Sequence, residues 1–320
     1  MTELFLKIVN MSITASILVL LVLVLRLMLN KAPKWVNVLL WGLVAIRLIC
    51  PFGIESSFSL MPKTDWIAEE DVSEEDLYPD SVTQEWFSAD SGLKFENNED
   101  LGSQYYPVEP QPQVSSGEKS AFALSCIWLA GIGVMLVYLA FSYIRVYCSI
   151  RSAKQFRGNI YTSENVASPF VFGVIRPRIC LPENMDAVSM SYVIAHEEAH
   201  LRRRDHWWKP LGFLLLTIHW FNPVMWLAYI LLCRDIELAC DERVVKAYDD
   251  TQRADYSEAL LECSVKRSMI SACPLAFGEV GVKTRIKSVL SYKKPAFWIV
   301  VLAVIACAAA AVCLDRKSVV

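Results

Sequence analysis

His196-Glu197-Glu198-Ala199-His200 is the stretch on which the reading of this chain turns. If it is helical, residues four apart share a face, so both imidazoles can reach one metal ion. Glu197 then sits where a carboxylate can take a proton from a water held by that ion. The run before it, residues 188–195, is apolar and helix-compatible, as the motif requires, and Ser189 is the expected N-cap. The competing reading is a solvated helix whose charges happen to include an i,i+4 pair. The chain has only four histidines, which weighs against that coincidence.

Outward from the motif, composition restricts the setting. The chain has 320 residues, 54% of them hydrophobic, with ten tryptophans. The apolar residues are clumped into long runs, which excludes a string of ordinary soluble domains. A net charge of −3 gives no electrostatic footprint for nucleic acid. None of the ten cysteines falls in the polar stretch 53–119, so they read as reduced or membrane-buried.

Residues 4–29 form an apolar run long enough to cross a bilayer, with Lys7 and Arg26 near its ends. Arg26, Asn30, Lys31 and Pro33 follow its apolar core where a cleaved signal peptide would need small residues. A second run, 36–50, completes a two-helix hairpin over 1–52, its basic turn on the cytoplasmic side and Arg47 near its end. Segment 53–120 then changes character, with sixteen acidic residues against three lysines between 53 and 119, and reads as a flexible extracytoplasmic loop. Residues 121–150 form a third membrane helix that exits through Arg145, Arg151, Lys154 and Arg157. A cytoplasmic domain fills 151–295, a last membrane helix 296–314 and a short tail 315–320. Within that domain 159–162, 170–172 and 179–181 are β-prone, and 244–269 is amphipathic and helical.

The run 207–233 is almost free of charge, and hydropathy alone makes it a membrane span. A single crossing would leave the next acidic cluster, 235–242, about 30 Å from the histidines across the hydrocarbon core. Trp220-Phe221-Asn222-Pro223 offers a break, since Asn-Pro favours a turn. The run is therefore expected to double back, as two membrane-dipping half-helices or as two soluble core helices, which returns Glu237 to His196.

A catalytic zinc takes three protein ligands and keeps a position for water. His196 and His200 supply two, and Glu237 is the first choice for the third. Asp241, four residues on, shares its face and can receive the free N–H of a ligating histidine. Asp235 and Glu242 point away, while His206 and His219 read as interface or core residues. With Glu197 as base, the chemistry is hydrolysis of a peptide bond. An extended substrate needs an edge strand, either Val171, Phe172 and Gly173 or Ile179, Cys180 and Leu181. Ser291-Tyr292-Lys293-Lys294 reads as a membrane-anchor cluster and not an acylating serine.

Several stretches together resemble one family: Leu39-Leu40-Trp41 with Arg47 to Pro51; Ser168 to Gly173 with Arg176-Pro177-Arg178; His196 to Asp205; Trp220 to Pro223; and Glu237 to Glu242. They are similar to the membrane zinc metallopeptidases typified by the β-lactam sensor-transducers of the BlaR/MecR type. The resemblance implies a multi-pass α-helical membrane protein with an inserted small α+β, gluzincin-like zinc protease lobe on the cytoplasmic side of the plasma membrane. It also implies His196, His200 and Glu237 as zinc ligands and Glu197 as catalytic base. The partners it implies are the bilayer, a cytoplasmic repressor as substrate and a possible homodimer. Only six residues follow Leu314, where the transducers carry a penicillin-binding sensor domain, so direct β-lactam sensing is not expected. The connector around Lys283 to Lys287 is a candidate self-cleavage region. The rival reading is a signalling scaffold with a structural metal.

Overall fold

The computed structural model describes residues 1–29, 31–49, 116–265 and 281–294, with Trp298, Ile299, Val301 and Ile305. Most of the loop 53–120, the end of the expected 244–269 helix, nearly all of 296–314 and the tail lie outside the described residues. Eight helices and four strands follow in the order α1 (Thr2–Met28), α2 (Lys34–Ile49), α3 (Ser116–Ile150), β1 (Lys154–Arg157), β2 (Ile160–Ser163), β3 (Phe170–Phe172), β4 (Arg178–Pro182), α4 (Ala187–Arg203), α5 (Asp205–Ile218), α6 (Pro223–Val245), α7 (Asp250–Val265) and α8 (Val282–Leu290).

Two of these helices are long and apolar enough to cross a membrane: α1, and α3 from Lys119 to Ile150. The α3 surface leaves Phe122, Ile127, Val134, Val137, Phe141 and Ile144 exposed, an apolar belt that water would not favour.

The run 207–233 does double back. Asn222 caps α6 by accepting the Val224 N–H at 2.9 Å, and Pro223 takes the first helical position, where its missing N–H costs nothing. Asn222 Nδ2 also donates to Ser12 Oγ at 2.8 Å and Ser16 Oγ at 2.7 Å, which fixes the α5–α6 tip against the middle of α1. On the α3 side, Trp220 donates to the Trp128 carbonyl at 3.1 Å and packs so tightly on Gly131 that a Cβ there would lie 2.1 Å from its ring. At the other end, Arg26 of α1 makes a two-pronged ion pair with Asp235 of α6, both bonds at 2.8 Å, and Trp41 of α2 donates to the same carboxylate at 2.8 Å. From Asn222 to Asp235 is about 20 Å of helix. From the Ser12–Ser16 level to Arg26 is nearly the same, so α1 and α6 run side by side in one direction. Between these two ties, α1, α2, α5 and α6 share one apolar core that includes Leu18, Val22, Leu40, Phe213, Tyr229 and Cys233.

The small sheet has the order β1-β2-β4-β3, with β2 and β4 parallel and the other pairs antiparallel. The strand β1 is an addition to the three expected runs. Because β4 is interior, only β3 of the two candidate substrate strands is an edge. The α4 N-cap is Asp186 and not Ser189: the Asp186 carboxylate accepts the Ser189 N–H at 2.8 Å, so Ser189 is the third helical residue. The expected 244–269 helix is divided, with 244–245 finishing α6 and Asp250–Val265 forming α7.

The Arg26–Asp235 pair is largely out of water, with side-chain exposures of 19% and 0%. Removing one partner strands the other, so Asp235→Ala is expected to destabilise the protein by about 3–5 kcal/mol. The paired change Arg26→Met with Asp235→Leu is expected to restore most of that loss. Thermal unfolding of the full chain in nanodiscs measures both.

Candidate metal centre

Helix α4 puts His196 and His200 on its buried face, each facing its own carboxylate. His200 Nδ1 lies 3.0 Å from Asp205 Oδ2, and His196 Nδ1 lies 3.2 Å from Asp241 Oδ1 and 2.8 Å from the Tyr256 hydroxyl. Hydrogen bonds at Nδ1 fix the ring orientation and turn both Nε2 lone pairs inward. The two Nε2 atoms are 3.2 Å apart, and Glu237 adds Oε2 at 3.4 Å from one and Oε1 at 3.4 Å from the other.

Two imidazole nitrogens and a carboxylate converging in a buried place repel each other unless a proton or a metal cation lies between them. Four-coordinate zinc with bonds near 2.05 Å needs ligand atoms about 3.3 Å apart, close to the spacing of the two Nε2 atoms and of each from its nearer Glu237 oxygen. The donor set therefore fits zinc. His206 and His219 do not join it: His219 is buried at the α5–α6 tip, its Nδ1 3.0 Å from the Leu215 carbonyl. Asp235 and Glu242 face the α1–α2 hairpin, Asp235 through Arg26 and Trp41, Glu242 by accepting the Lys34 backbone N–H.

Two protein cations border the same atoms. Lys209 of α5 contacts Glu237 Oε1 at 2.8 Å. Arg285 of α8 lies 3.3 Å from Glu237 Oε2, 3.2 Å from His196 Nε2, and grips both Asp241 oxygens at 2.8 Å. Burial opposes ionisation of Glu237, yet Lys209, His200 and Arg285 hold its carboxyl well below the usual range. Burial likewise opposes a charged His196, but hydrogen bonds that it donates to Asp241 and Glu237 push it up to about 9. Asp241 is depressed against its own burial by Arg285. Glu197, which follows His196 on α4, is buried and takes part in none of these ion pairs among the described residues. It lies close enough to β4 to act on Cys180, whose thiol burial pushes up to about 11, with Arg178 opposing and Glu197 adding.

Sequence reasoning missed Lys209, Tyr256 and Arg285, and gave Asp205 no role although it lies inside the quoted motif. The Lys283–Lys287 connector is helical and its Arg285 is buried, so it does not present the extended chain a peptidase takes.

Apolar helices of membrane-crossing length and a buried His196–His200–Glu237 set are features expected of a family of membrane-associated metallopeptidases. The chain belongs to the BlaR1 peptidase M56 family, whose model matches residues 6–289. It is similar to the methicillin resistance mecR1 protein of Staphylococcus aureus, 30% identical over 138 residues, 41% of this chain and 24% of that protein. It is also similar to the regulatory protein BlaR1 of Bacillus licheniformis, 26% identical over 206 residues, 56% of this chain and 34% of that protein. The matched stretches thus span about a quarter to a third of these relatives.

Purified protein is expected to carry one zinc per chain, and Glu237→Ala to lose it, by metal analysis. Asp205→Asn is expected to weaken zinc binding by about 10–100-fold with the fold retained. His196 must give up its proton to take a metal. Zinc affinity therefore rises by up to about tenfold per pH unit while the imidazole is protonated. It levels off as pH passes the imidazole's value of about 9. Competition with a chromogenic chelator reads both effects.

Proposed function

We propose that this protein is an integral-membrane zinc-dependent endopeptidase acting in signal transduction, with its protease lobe on the cytoplasmic side. The observation that carries the reading is the buried His196–His200–Glu237 set at zinc-ligand spacing with Glu197 beside it. His196, His200 and Glu237 hold the metal, which when bound supplies Lewis acidity and a water of lowered pKa.

The rest of the chemistry belongs to the chain. Glu197 takes the proton of the attacking water and returns it to the leaving amine nitrogen. Asp205 and Asp241 keep the imidazoles in the Nδ1–H form. Lys209 and Arg285 hold Glu237 ionised and in place. An extended peptide pairs with β3, through Val171, Phe172 and Gly173, beside α4. The α5–α6 hairpin is re-entrant, because its tip meets the middle of α1 while its base is tied at Arg26.

The substrate class is a cytoplasmic transcriptional repressor, the protein itself, or both. The relatives' names, a regulatory protein and a methicillin resistance protein, support a regulatory role. Full-length Glu197→Gln in nanodiscs is expected to keep its zinc and lose about 10²–10⁴-fold in cleavage of a peptide library. Cleavage surviving in this variant, or wild-type protein without zinc, overturns the reading.

A further inference from the structure

The most exposed large apolar side chain among the described residues is Ile175, at 88%, next to the exposed Val174 in the β3–β4 turn. An exposed isoleucine is ordinary by itself. What sets this one apart is its height along α3.

The sheet touches α3 at two levels. Where β2 ends, Ser163 Oγ donates to the Ser149 carbonyl at 3.4 Å, and Asn165 Nδ2 lies 3.2 Å from Ser152 Oγ. At the opposite end of the sheet, Phe172 stacks on Tyr143 with centroids 4.9 Å apart and lies 6.5 Å from Tyr147. The register links the two ends: Ser163 pairs with Pro182, Ile160 with Ile179, and Phe172 with Arg178. From Ser149 to Tyr143 is about 9 Å of helix. From Ser163 to Ile160 is about 10 Å of strand. The strands therefore run alongside α3, and the β3–β4 turn points towards the part of α3 that carries the apolar belt. Beyond Phe172 the turn reaches the level of Phe141, which is 64% exposed.

The turn is shaped for this placement. Gly173 has φ +99°, and a Cβ there would meet the Arg176 carbonyl oxygen at 2.9 Å, so the backbone closes tightly and Val174 and Ile175 project. Arg176 follows directly and is exposed, as are Arg145 near the C-terminal end of α3 and Arg151 just beyond it. Apolar tips with adjoining arginines suit the boundary between acyl chains and phosphates.

We propose that the β3–β4 turn, residues 173–177, is seated in the bilayer interface, with Val174 and Ile175 among the acyl chains and Arg176 at the lipid phosphates. This rests on the reading of α3 as a membrane span. The turn then holds the edge strand β3 at a fixed height, so the site takes peptides lying close to the membrane surface.

Photo-crosslinking of the full chain in phosphatidylglycerol-containing proteoliposomes tests this. p-Benzoylphenylalanine is placed at Ile175, at Phe141 on α3, and at Asn184 beyond the other end of the sheet. Mass spectrometry is expected to find phospholipid adducts at 141 and 175 and none at 184. Adducts at 141 without 175, at 184 as readily as at 175, or a crosslink from 175 to a second copy overturns the proposal. Absence of adducts at 141 itself instead removes the membrane reading of α3, and the proposal with it.

Discussion

Asp235 and Glu237 stand two residues apart on α6 and are pulled in opposite directions. One is gripped by Arg26 of α1 and Trp41 of α2, and the other meets the two histidines of α4. A helix turns about 200° over two residues, so one rigid rod serves both attachments. The site thus has no independent scaffold. Its carboxylate donor is carried on a helix whose position is set by α1 and α2, and the apolar core those helices share with α5 and α6 holds it there.

The electrostatics follow from that convergence. Glu237, Asp241 and Asp205 bring three buried carboxylates to two imidazoles, and low dielectric makes every uncompensated charge costly. Lys209, Arg285 and Arg203 answer from three different positions, the last pairing with Asp205 at 3.2 Å. The hydroxyl of the buried Tyr256 donates to Asp241 at 2.7 Å, and Cys240 lies 3.1 Å from Asp205. These hydrogen bonds and ion pairs link both histidines in one network, with Asp205 Oδ1 left outside it, and leave the imidazoles little freedom to turn.

The parts of this arrangement that the sequence disclosed are those with local periodicity. His196 and His200 are four apart, as are Glu237 and Asp241, and helical spacing predicts shared faces. The fold-back of α5 and α6 was legible because two ligands on one side of an apolar run demand the third on the same side, and Asn222-Pro223 marks where the chain turns. The cations were not legible. Arg285 sits in a basic run that looks like any solvated or cleavable connector, and its partner Asp241 is 44 residues away. Charge patterning along one segment says nothing about a neighbour supplied by packing. Asp186 displaced Ser189 as the cap for a subtler reason: both residue types cap helices, and the start of α4 was read three residues too late.

Arg285 ties the electrostatics of the metal centre to a helix that supplies none of its candidate ligands. Every group proposed to bind or orient the metal lies between His196 and Tyr256, whereas the guanidinium arrives on α8, next to the final apolar segment. It draws on the same carboxylates that would serve a divalent ion, so protein cation and metal compete for one pool of negative charge. Moving α8 outward would deepen the electrostatic well, and pressing it inward would make the well shallower. The tightness of metal binding then depends on how closely α8 packs against the ligand helices, and not on the ligands alone.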